Sequence, residues 1–83
     1  MDRILKLIEA LPEAVKAYIE ETREYYVKMN RSGGANGFDR GEVWGFVAAL
    51  VACNVIEYKY KRAIKAYMKG ADDASIEQAL KGV

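Results

Sequence analysis

Val43-Trp44-Gly45-Phe46-Val47-Ala48-Ala49-Leu50-Val51-Ala52-Cys53-Asn54-Val55-Ile56 is the longest nearly apolar run in the 83-residue chain, and Asn54 is its only polar side chain. It falls short of the roughly 20 apolar residues that a helix needs to cross a bilayer. The run therefore reads as a core helix, and no membrane contact is expected. Just before it, Phe38-Asp39-Arg40-Gly41-Glu42-Val43 has the form of a helix start. Asp39 stands where a cap belongs, Glu42 is placed to reach back three residues, and Phe38 can pack on Val43.

The segment after the run admits two readings. In a single helix from Asp39 to Lys69, the residues Phe46, Leu50, Cys53, Tyr60, Ile64 and Tyr67 share one stripe, but Glu57 falls in its middle. A break at Asn54 removes that conflict, because Asn tolerates the left-handed conformation that ends helices. Val55 and Ile56 can then turn into the core, and a new helix starts with the tyrosines. The break is the adopted reading.

Working outward, residues 2 to 29 place Ile4, Ile8, Leu11, Val15, Tyr18, Thr22, Tyr25 and Met29 at steps of three and four, with Leu5, Ile19 and Tyr26 widening the stripe. Pro12 divides this pattern, since it fits the first position of a new helix far better than an interior one. Asn30 to Gly37 has the only loop-like composition of any length. Near the other end Gly70 stops a helix, Asp72 or Asp73 caps a last one, and Gly82 closes it. The prediction is helices near 2–11, 12–29, 39–53, 57–69 and 73–81 and no sheet. This is an all-α single domain, a small bundle of four to five helices completed by self-association. Its parts are an amphipathic segment 1–30, a Gly-rich loop 31–38, an apolar then basic segment 39–69, and a short C-terminal helix in 70–83.

Composition supports the self-association. A chain of this size buries only about 60–65% of the surface that its unfolded form exposes. One cysteine excludes an internal disulfide. Apolar side chains make up 52% of the chain, and the seven glycines raise the share to about 60%, against an ordinary value of about 45–50%. Such a surplus is commonly hidden in a second copy. The amino terminus lacks the basic, apolar and small-residue order of a secretory leader, so a cytoplasmic location is expected.

The same residues argue against chemistry. Histidine is absent, which removes imidazole as base, nucleophile activator or metal ligand. Cys53 has no Lys or Arg in the preceding helical turn and reads as structural. Glu13, Glu20, Glu21 and Glu24 read as a solvated helix face. Gly33-Gly34-Ala35-Asn36-Gly37 lacks the Lys and Ser or Thr of a phosphate loop and the alternating acids of a calcium loop. No catalytic residue, cofactor or metal ligand is expected, and the protein is read as not an enzyme.

Two surfaces remain. Gly41, Gly45, Ala49 and Cys53, with Ala48 beside them, form a row of small residues that lets another helix approach closely. That neighbour is either the chain's own first helix or a second copy, with Trp44 and Phe46 flanking the ridge as anchors. The other surface is residues 58–69, which carry Lys59, Lys61, Arg62, Lys65 and Lys69 and no acid, in a chain whose net charge is only +1. The leading expectation is a homodimeric interaction module that acts by binding another protein in an accessory or regulatory role. The alternative is a nucleic-acid-binding protein using 58–69 in a helix-turn-helix-like arrangement.

Overall fold

A computed structural model describes the backbone of residues 1–31 and 37–81, and the side chains of 1–31 and 41–81. Five α-helices succeed one another: α1 (Asp2–Glu9), α2 (Glu13–Arg31), α3 (Gly37–Ala52), α4 (Lys61–Met68) and α5 (Asp73–Leu80), with a 3-10 turn at Tyr58–Tyr60 ahead of α4. Among the described residues there is no strand. The expected all-α bundle is the fold.

The chain leaves α1 in a turn in which Leu11 N–H donates to the Ile8 carbonyl at 3.0 Å. Pro12 stands just ahead of α2 rather than at its first position, and its carbonyl accepts from Lys16 N–H at 2.9 Å. There its missing N–H costs nothing. The non-helical step also resets the phase of the apolar stripe. Ile4, Ile8 and Leu11 are buried as expected, but in α2 the buried residues are Ile19 and Tyr26, whereas Tyr25 is 44% exposed. A stripe can be extrapolated only along an unbroken helix, so it rotates in α2: Ile19 and Tyr26, expected to widen it, are its buried positions, Val15, Tyr18, Thr22 and Met29 are half-buried, and Tyr25 leaves it.

The break at Asn54 is present. Asn54 has φ 59°, the one left-handed non-glycine residue among those described. Its N–H donates to Val51 at 3.1 Å and Val55 N–H reaches back to Leu50 at 2.8 Å. That pair of bonds is the Schellman closure of a helix, with Asn54 in the αL position and Val55 against Leu50. The same closure ends α4: Gly70 has φ 80°, with Gly70 N–H to Tyr67 at 3.1 Å and Ala71 N–H to Ala66 at 3.0 Å. α5 is capped by Asp72, whose carboxylate accepts from Ser75 N–H at 2.8 Å.

Two predicted starts shift. α3 already includes Gly37, so Asp39 lies within its first turn rather than ahead of it, and the side chains of Phe38 and Asp39 lie outside the described residues. The loop residues 32–36 and the Gly82 stop also lie outside them. The helix expected from residue 57 begins as α only at Lys61. Glu57 is extended with ψ 145° and offers no side-chain cap, and the first turn is tightened to 3-10.

α4 is the centre of the bundle, packed against α2, α3 and α5. Ala63, Ile64, Tyr67 and Met68 are buried there with Val43, Val47 and Leu50 of α3 and Ile76 and Leu80 of α5. α2 clamps the end of α4: Arg23 donates to the carbonyls of Tyr67 (2.7 Å) and Ala71 (3.2 Å), and Asn30 to that of Lys69 (3.2 Å). A cation on the last carbonyls of a helix also complements its dipole.

Candidate interaction surface

From Val43 onward α3 is apolar on every side, yet only one side of it is covered. Val43, Val47 and Leu50 face the core, and Phe46 and Val51 flank them half-buried. On the opposite side Gly41, Gly45, Ala49, Ala52 and Cys53 are exposed and Ala48 is half-buried. A Cβ built at Gly41 or Gly45 meets nothing within 4 Å. The reading in which the small-residue ridge packs on the chain's own first helix is therefore overturned. The helical repeat that turns Val43, Val47 and Leu50 to the core points Gly45 and Ala49 away from it.

The flanking aromatics part company. Phe46 packs on Tyr18, with ring centroids 4.4 Å apart, so its ring is committed within the chain and is not available as an anchor. Trp44 is 55% exposed. Cys53 is exposed as well. From Val43 to Cys53 the outward face carries no charged side chain. Glu42 lies at its edge, where its carboxylate accepts from Tyr18 Oη at 3.0 Å.

The basic residues sit on the other side of Trp44. The ammonium groups of Lys61 and Lys65 lie 5.0 and 5.2 Å from the centre of the Trp44 ring, and Lys61 lies 5.4 Å from that of Tyr58, a residue 73% exposed. These are cation–π distances. Lys59 differs: it is held by Glu57 at 3.4 Å and stands over Tyr60 at 5.3 Å. Among the described residues no carboxylate lies within ion-pair distance of Lys61, Arg62, Lys65 or Lys69. Partial burial, with Lys61, Lys69 and Arg62 nearby, holds the Lys65 ammonium below the usual lysine range. The link from Trp44 to Lys61 and Lys65 spans a turn, and helical spacing could not have revealed it.

The carboxylates do not converge. Glu13 and Glu9 pair with Lys16 (3.1 and 3.5 Å), and Glu20 accepts from Tyr67 Oη at 2.7 Å. Among the described residues no group of His, Cys, Asp and Glu side chains is placed to hold a metal ion, and no helix is long and apolar enough to cross a membrane. One cleft of about 350 Å3 lies between α2 and α3, lined by Tyr18, Tyr25, Tyr26 and Glu42 among others. Another, of about 550 Å3, is lined by Leu7, Val51, Val55, Tyr58 and Tyr60 among others. No family model, curated protein or solved structure matches the chain.

Proposed function

We propose that the protein is a non-catalytic helical interaction module that pairs with a second copy through the outward face of α3 and serves an accessory or regulatory role toward another macromolecule. The observation that carries this is the bare face itself. A helix that is apolar all round belongs in a core, and here a side built from Gly41, Gly45, Ala48, Ala49 and Ala52 is left uncovered or only half-covered. A water-facing helix side ordinarily carries lysines and glutamates.

A second copy suits this face better than an unrelated partner. In a two-fold contact each residue meets its symmetry-related patch, so the face must be complementary to itself. A flat ridge of glycine and alanine meets that condition, since it brings no like charges together at the axis. Small side chains also let the two backbones approach closely. Trp44 stands at the rim of this face with its ring held by Lys61 and Lys65, so the pairing rests on the small-residue ridge and leaves that ring outside the contact. Sedimentation equilibrium of the wild-type chain and of Ala49→Arg tests the reading. The wild type is expected to fit a monomer–dimer equilibrium and the variant a folded monomer. Identical behaviour of the two would refute it.

The expectation that the further partner is a protein has no particular side chain behind it. The nucleic-acid alternative does have support, in the row of cations beside exposed aromatic rings. Its helix-turn-helix form has less, because a recognition helix must project into a groove, and α4 is enclosed by α2, α3 and α5.

A further inference from the structure

We infer that the edge formed by Trp44, Tyr58, Lys61 and Lys65 is a contact surface for single-stranded nucleic acid, with bases on the rings and phosphates on the lysines. Three observations converge on it. Trp44 and Tyr58 are the two most exposed large apolar side chains among those described, at 55% and 73%. Two ammonium groups with no carboxylate partner among the described residues stand over their rings, Lys61 over both. Tyr58 also lines a cleft of about 550 Å3 whose apolar wall, with Val51, Val55 and Tyr60, can receive a ring, and the one carboxylate in its lining, Glu57, is paired with Lys59.

Each part of this edge matches a part of a single strand. Exposed aromatic faces beside a row of cations are how sequence-tolerant single-strand binding works, because every base has a π face and every linkage a charge. In the free protein the rings hold the ammonium groups. When a strand binds, flexible lysine stems swing to the phosphates and leave the ring faces to the bases. Lys61, Lys65 and Lys69 succeed one another at four-residue steps, about 6 Å apart along the helix, so the charge continues past the rings. A duplex fits poorly, since its bases are already stacked and α4 does not project. An acidic peptide would satisfy the lysines but leave the rings and the cleft without a role.

Trp44 is the only tryptophan in the chain, so its fluorescence reports the contact directly. The experiment titrates the full chain with an oligothymidylate of about 12 nucleotides. The duplex form, polyglutamate and phosphatidylserine vesicles are titrated in parallel. The expected result is quenching by the single strand alone. With about three phosphates engaged, affinity should fall about 18-fold between ~50 and ~200 mM salt. Lys61→Glu with Lys65→Glu should abolish binding with an unchanged circular dichroism spectrum, and Tyr58→Ala should weaken it about tenfold. Gly45→Leu should bind as the wild type does, which separates this inference from the pairing of α3. No quenching, equal response to duplex, polyglutamate or vesicles, or loss of binding in Gly45→Leu would overturn it.

Discussion

Tyr67 joins the packing of the bundle to its polar chemistry. Its ring is buried beneath the Arg23 guanidinium at 4.3 Å, and its hydroxyl donates to Glu20 at 2.7 Å. Burial first, and then the Glu20 carboxylate, push that hydroxyl up to about 12. The unfolded chain gives up the proton near 10, so between about pH 10 and 12 the unfolded state binds fewer protons and stability falls as pH rises. The stabilisation, on the order of 2 kcal/mol, is fully present below pH 10. Thermal unfolding followed across that window should show the loss, and Tyr67→Phe should flatten it. Asn54 gives a second prediction at this scale. Its φ of 59° makes Asn54→Ala cost about 1–2 kcal/mol, whereas Asn54→Gly should be neutral or slightly stabilising, as read from urea midpoints. Asn54 was legible in the sequence because it is the one polar residue in an apolar run. Tyr67 was legible only as an inward-facing ring, since its partners Glu20 and Arg23 lie more than forty residues away.

The helices were legible where the sequence punctuates them. Gly70 and Asp72 end α4 and start α5 as their residue types require. Gly70 is doubly constrained, because an added Cβ would lie 3.2 Å from Val27 Cγ2 and 3.3 Å from Val27 N. Gly70→Ala therefore meets both a disfavoured φ and the α2 backbone, and should cost more than about 1 kcal/mol in chemical denaturation. The Asp72 carboxyl is held below its ordinary range by the Ser75 N–H. Its contribution is present above the unfolded value and is lost as pH falls through the lowered one, so Asp72→Asn should blunt the acid end of the stability profile. The inward face of α2 was legible only in part. The three non-helical residues around Pro12 change the rotation between α1 and α2 by an amount that no spacing rule supplies, so Ile19 and Tyr26, expected at the margin of the stripe, become its buried centre while Tyr25 turns to solvent. The start of α4 was missed for a related reason, since Glu57 supplies no cap and packing alone sets where the α-helix begins.

At the scale of the molecule, the bundle places its charge and its bare apolar surface side by side. The outward side of α3 is neutral, the cations of α4 line one edge of it, and Trp44 stands between them. The small-residue row was legible from spacing alone. That it faces outward was not, because it depends on which side of α3 meets α4. An exposed glycine inside a helix weakens the chain that carries it, by about 0.5–1 kcal/mol relative to alanine. Gly45→Ala should therefore stabilise the isolated chain, where the added Cβ meets nothing within 4 Å. A second helix at close approach gives that glycine a purpose. Gly45→Leu separates the two situations, since a lone chain accommodates leucine there and a close-packed pair does not. The most direct measurement is the molar mass by light scattering from micromolar to millimolar concentration, for the wild type and Gly45→Leu together. The wild type is expected to rise from the 9.3 kDa of one chain toward twice that value, while Gly45→Leu stays at one chain mass with its helical spectrum intact. A wild type that remains at one chain mass at millimolar concentration, or a Gly45→Leu that dimerises equally well, would contradict the pairing of α3.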